Sequence, residues 1–345
     1  GYSHPTTVRP RRAGGGRALR HPATKAGGVD VRTDAWATAI AFDGRRATGV
    51  RYLRGGRGGA SHVVRARREV IVSAGTINSA RLLQVSGIGP APLLRDIGAP
   101  LIHDLPGVGE NLQDHYAIRV VARVRGVSTI NDQARMPRLA GEALNWALRR
   151  PSVLGLSPSL VHVFWMSNPA LDLPDLQFTF TPASYKEGAV GVLDDFPGMS
   201  CGVWQHRPES RGFVRARSSD IFEDPVIQPN YLAAEADRRV LIAGTRLARR
   251  FLDTMRLAPY FVREELPGAE AVTDDELLDY AYRKGSTCFH LVGTCQMGPD
   301  SDPNAVVDDQ LRVRGVEGLR VVDASVMPAV TSGNTNAPTM MIAEK

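Results

Sequence analysis

The chain has 345 residues, of which 43% are hydrophobic and 23% charged, a balance that supports buried cores in two domains and excludes a disordered or fibrous chain. No apolar run approaches roughly 18 residues, so no transmembrane helix is expected, and the N-terminal stretch has no apolar segment that could serve as a secretory signal. The net charge of 42 − 36 = +6 sits in residues 1 to 70, where 15 Lys/Arg meet 4 Asp/Glu (+11, leaving −5 for the rest); these arginines are scattered through turns without alternating aromatics, so no nucleic-acid partner is expected.

In chain order, VDVRTD (29–34), WATAIAF (36–42) and DGRRATGVRYL (43–53) alternate apolar and polar residues about the turn Asp43-Gly44, which predicts strands. HVVRARREVIVSAG ends in the short apolar strand VIVSAG. TINSARLLQVSG then spaces Ile77, Ala80 and Leu83 as a helix that stops at Gly87. Strand, small-residue turn and helix form the unit with which dinucleotide-binding α/β folds aim backbone N–H groups at phosphate. Between 116 and 283 the pattern changes. AIRVVARV, LQFTFTP, MSCGVWQ and GFVRARS read as strands of a mostly antiparallel sheet, flanked by helical patterns at 138–150 and 235–255. From 284 the α/β style returns: LRVVDASVMP is a strand ending in a carboxylate, and NAPTMMIAEK opens a helix with Pro338 in its first turn. The expected fold class is α/β (α+β overall), a Rossmann-like nucleotide-binding domain (1–115 and 284–345) interrupted by a substrate-binding domain (116–283) with a mostly antiparallel sheet. Neither end carries a start or a cap, so the chain is expected to be a fragment of a longer protein.

Cys201, Cys288 and Cys295 are too few, and odd in number, for a disulfide framework, and they imply reduced thiols in the cytoplasm. Cys288, His290 and Cys295 match no zinc spacing, so no metal is expected. His290 stands between two bulky apolar residues in FHLVGTCQMG (289–298). Alone, it reads first as a hydrogen-bonded histidine on a surface or in a core, with a proton carrier as the alternative.

VSAGTINSARLLQVSGIG (72–89), FHLVGTCQMG and LRVVDASVMPAVTSGNTNAPTMMIAEK (319–345) together resemble the glucose–methanol–choline (GMC) family of flavin oxidoreductases, in its choline-dehydrogenase-like branch. LPGVGENLQDH (105–115), PDLQF, RPESRG and PNYL follow in the family's order, so the resemblance covers nearly the whole chain. It implies FAD as cofactor and oxidation of a primary alcohol to an aldehyde: a base takes the hydroxyl proton and a hydride passes to flavin N5. The implied electron acceptor is oxygen or a quinone or carrier, and the implied location is cytoplasmic, with membrane association only through that acceptor. A quaternary ammonium substrate would call for an aromatic cage. With 6% aromatic residues and no aromatic cluster, a primary alcohol of unspecified size is the expected substrate.

The resemblance also implies site residues. His290 matches the family's base, although Leu291 follows it where Pro is commoner. Asn336 matches the second polar group, with a helix N-cap as the plain alternative. Asp323 and Ala324 match the ribityl and pyrophosphate region, Asn336 and Ala337 the isoalloxazine, and Asn111 the lining of the flavin site. Ala37 matches a backbone contact to adenine. His115 and Cys295 are expected to be structural. The family's opening strand–GxGxxG–helix unit is absent; the GGGR and RGGRGG stretches lack the strand–helix setting that would make them one. Two alternatives share this pattern: a hydroxynitrile lyase-type flavoprotein that does not use flavin redox chemistry, and an inactive fragment that does not bind flavin by itself.

Overall fold

A computed structural model of the chain describes residues 7–8, 11–12, 16–155, 159, 161–186 and 191–345. The GGGR stretch lies partly outside them. Contacts divide the chain into two units, one built from Gly1–Val31, Tyr116–His206 and Arg238–Ser286, the other from Arg32–His115, Arg207–Asp237 and Thr287–Lys345.

In the second unit, the alternation around Asp43-Gly44 produces an antiparallel sheet of Ala35–Asp43, Arg46–Arg54 and Ala60–Arg65. Gly44 closes its first turn at φ 55°, a left-handed conformation that glycine adopts at no steric cost. RGGRGG is the loop of the next hairpin, where Gly55, Gly56 and Gly58 all take positive φ. Residues 29–34 form no strand. Val29 and Val31 are exposed, so their alternation buries no face, and Asp34 turns the backbone at φ 55°.

Val70–Val72 pairs in parallel with Leu319–Val321, which brings the two ends of the unit together. The helix Gly75–Val85 leaves the first of these strands and buries Ala80 and Leu83 completely. It ends at Ser86, and Gly87 follows at φ 92°, where a Cβ would meet the Pro100 carbonyl oxygen at 2.3 Å. Val70, Val72, Leu83, Ile88 and Val321 belong to one apolar core beneath these elements.

Residues 207–237, expected in the substrate-binding domain, are tied into this unit by hydrogen bonds. Val214 N–H donates to Gly109 O (2.7 Å), Leu112 and Gly212 exchange backbone bonds (2.9 Å each), and the buried Gln84 side chain serves both Val214 O (3.0 Å) and Ala216 N–H (2.8 Å). GFVRARS accordingly gives a short strand, Phe213–Arg215, paired with Val226–Gln228 outside the large sheet. Its apolar residues answer to Gly109 and Gln84, partners too remote in sequence to register in a local pattern.

The first unit carries the mostly antiparallel sheet, in the order Val161–Trp165, Leu176–Thr181, Gly198–Gln205, Tyr116–Val124 and Phe261–Leu266. The helix Glu235–Leu252 packs on it at close range. At Gly244 a Cβ would meet Val203 Cγ2 at 2.8 Å and Leu176 Cδ2 at 2.9 Å, and the Phe251 ring meets Phe178 edge-on with centroids 5.0 Å apart. No helix among the described residues is long and apolar enough to cross a membrane.

Candidate active site

The site grows from the loop LPGVGENLQDH. Gly107 passes where a Cβ would lie 2.0 Å from Asn304 O, and Asn111 takes φ 60°, a conformation that Asn tolerates better than most residues. Gln113 and Val292 then exchange backbone hydrogen bonds (3.1 and 2.9 Å), and Cys288 N–H donates to His115 O (2.9 Å). These bonds lay the 288–292 segment along 113–115. Gly293 has φ 100° and sits where a Cβ would be 2.1 Å from Asn111 O, so the His-x-x-Gly spacing is a close-approach requirement. Thr294 Oγ1 donates to Thr76 O, and Thr76 Oγ1 donates to Leu291 O (2.6 Å), fixing the segment to the start of the 75–85 helix.

Asp114, buried, anchors the main chain of His290. Its Oδ1 accepts the His290 backbone N–H (2.8 Å); its Oδ2 accepts the hydroxyls of Tyr231 and Thr287. Burial, and then the Asp114 charge, push the Tyr231 phenol far above its ordinary value, so this hydroxyl stays a donor.

His290 is 9% exposed. Its Nδ1 lies 2.9 Å from His115 Nδ1, and its Nε2 lies 3.0 Å from Asn334 Nδ2. The two imidazoles meet at 90° with centroids 5.1 Å apart. Burial lowers the His290 pKa below the ordinary imidazole value, while the Asp114 carboxylate works in the opposite direction. The ring is therefore neutral at neutral pH and can accept a proton. Phe289, just before it, holds φ 58° with a 70% exposed side chain, a strained conformation for a bulky residue.

The GMC oxidoreductase family models match residues 1–117 and 208–343, the two stretches that supply Asp114, His115, Tyr231, His290 and Asn334. The chain belongs to the GMC oxidoreductase family. It is 36% identical over its whole length to an alcohol dehydrogenase (acceptor) of Pseudomonas putida, covering 62% of that protein. It is 38% identical over 340 residues, 98% of the chain, to an oxygen-dependent choline dehydrogenase of Staphylococcus aureus, covering 58% of it. The chain thus spans about three-fifths of the length of these curated relatives. Among solved structures, pyridoxine 4-oxidase from Mesorbium loti superposes with a TM-score of 0.83 at 27% identity, over 98% of this chain and 61% of the other.

Within this GMC chain the predicted site residues separate. His290 is at the centre. The carboxamide bonded to it belongs to Asn334, two residues before the predicted Asn336; Asn336 and Ala337 are exposed residues opening the helix Asn336–Glu344. Asn111 is close by but turned to scaffolding: its Nδ2 donates to Gln296 Oε1 and to Pro328 O (3.2 Å), and its Oδ1 accepts from Gln113 (2.9 Å). The Asp323 carboxylate accepts Gly75 N–H (2.9 Å), Ser79 Oγ, Ser325 N–H (2.8 Å) and Ser325 Oγ, which join both strand–turn units, with the partly buried Ala324 between them. Ala37 is an exposed strand residue opposite Tyr52. Cys295 is fully buried and burial pushes its thiol pKa up, as suits a packing residue. The sequence pattern does not single out Asp114 or Asn334, and it marks His115 only as structural. The Asp-His pair after Leu-Gln and the first Asn of NTN were the available signals.

Proposed function

We propose that this chain supplies the substrate-side proton chemistry of an FAD-dependent alcohol oxidoreductase that converts a primary alcohol to an aldehyde, with His290 as the base. The observation that carries the reading is the meeting of the buried His290, through Nε2, with the exposed Asn334, two groups 44 residues apart in sequence.

The residues present fit the isoalloxazine end of FAD. The helix Asn336–Glu344 begins without a side-chain cap at Thr335 and without an acidic residue in its first turn. Its N-terminal N–H groups and positive dipole end suit an electron-rich heterocycle edge. Gly333, just before, has φ 154° and nothing within 4 Å of a would-be Cβ, which leaves the backbone approachable. Asn336 and Ala337 would hold the group there by their backbone. Bound FAD supplies the electron sink for the hydride that leaves the alcohol carbon.

The chain's own part is proton handling. The alcohol O–H bond breaks as the proton passes to His290 Nε2. Asn334, donating to that nitrogen before substrate arrives, can turn its carbonyl or its N–H toward the substrate oxygen. Asp114 keeps the His290 main chain from shifting as charge develops, and its negative charge favours the imidazolium. The Pseudomonas putida and Staphylococcus aureus relatives, named for alcohol and choline as donors, support an alcohol substrate. Mixing the FAD-loaded protein anaerobically with primary alcohols is expected to bleach the visible flavin absorbance. His290→Ala is expected to slow that bleaching by roughly 10²–10⁴-fold. Cyanohydrin cleavage without bleaching would establish the lyase reading instead.

A further inference from the structure

We propose that His115 sets the tautomer of His290 and shares the positive charge that His290 gains on taking the substrate proton. The proposal rests on the reading of His290 as the base. Two Nδ1 atoms 2.9 Å apart hold one proton between them, because two would clash and none would set lone pair against lone pair. Ownership of that proton is decided at the far side of the His290 ring. The Asn334 Nδ2 group can only donate, so the His290 Nε2 that faces it carries a lone pair. The neutral His290 ring must then hold its proton on Nδ1 and donate it to His115 Nδ1. Neutral His115, in turn, holds its own proton on Nε2.

Asp114 Oδ1 accepts the His290 backbone N–H, and its Oδ2 accepts the hydroxyls of Tyr231 and Thr287. The carboxylate thus fixes the main chain of the base, and the second imidazole fixes its ring. When the substrate O–H breaks and the Nε2–H bond forms, the Nδ1–H···Nδ1 bond becomes charge-assisted, with no other bond made or broken in the pair. His115 is fully buried, so water does not compete for that bond. A neutral acceptor also leaves the base less basic than a carboxylate would, in line with the lowered pKa of His290. His115 is therefore a positioning residue that acts through His290.

Isotope-labelled histidine in the 345-residue chain, observed by long-range proton–nitrogen correlation at neutral pH, reads the two tautomers without FAD or turnover. The expected pattern is a protonated Nδ1 and bare Nε2 on His290, with the reverse on His115. His115→Phe is expected to move the His290 proton toward Nε2. His115→Asn, whose Oδ1 reaches toward the place of the lost Nδ1, is expected to restore it. In the FAD-loaded protein, His115→Phe is expected to lower kcat by about 10²-fold with KM little changed, and His115→Asn to recover most of the loss. A wild-type His290 protonated on Nε2, or a folded His115→Phe variant with its His290 tautomer unchanged, would overturn the proposal. If His115→Phe does not fold, the wild-type spectrum and the Asn variant still decide. Full activity in His290→Ala would instead sink the base reading and leave the tautomer result standing.

Discussion

Asp114 and Asp323 are both buried carboxylates, and each gathers hydrogen bonds from segments far away in sequence. What they hold differs. The four bonds that Asp323 accepts come from Gly75 and Ser79 in the helix after the first parallel strand and from Ser325 after the second, so it braces those two elements together. Asp114 holds the backbone of an imidazole whose Nε2 meets the exposed Asn334. The backbones they tie down differ as well. Asp323 receives the N–H of Gly75, which takes φ 83° at no steric cost, whereas the residue leading into His290 is Phe289, which takes φ 58° at a cost. The residue leading into His290 is strained, and the glycine that Asp323 holds is not.

Substitutions can break this division. The largest effect on stability is expected for Asp323→Ala, which leaves four donors without their acceptor and should cost about 3–5 kcal/mol. It is read as a lowered urea midpoint at unchanged m. An equally stable Asp323→Ala protein would show that the brace is dispensable. A smaller loss, about 1–2 kcal/mol, is expected for Gly75→Ala. A Cβ there meets nothing within 4 Å, so the whole cost is the left-handed backbone.

The gentlest test is pH. His290 has its pKa lowered in the fold, so between its folded and unfolded values the unfolded chain binds the extra proton. This contribution to stability is therefore complete above about pH 6.5, the ordinary imidazole value, and is lost as pH falls below it. The acid limb of kcat/KM should likewise lie below that value. Asp114→Asn removes the charge that opposes the burial effect, and it is expected to move the limb lower still. An unmoved or raised limb would show that Asp114 does not govern the base.

Much of the frame was legible in the sequence. Period-two runs gave Ala35–Asp43, Arg46–Arg54 and Tyr116–Val124, and helical spacing gave Gly75–Val85. The His290-x-x-Gly293 spacing was legible as a motif, and the close approach of Gly293 to Asn111 explains it. The choice between Asn334 and Asn336 was not. Both lie in NTN, and only the turn at Gly333 and the start of the helix decide which carboxamide meets the imidazole. The placement of 207–237 was equally hidden, because Gln84 and Gly109 bind that stretch across more than 100 residues of chain.

The pairing of His115 with His290 spans 175 positions. During synthesis on a ribosome, His115 emerges long before its partner ring, so the pair can close only after most of this polypeptide has been made. So long a loop costs little more entropy to close than one of half the length, but it cannot close early.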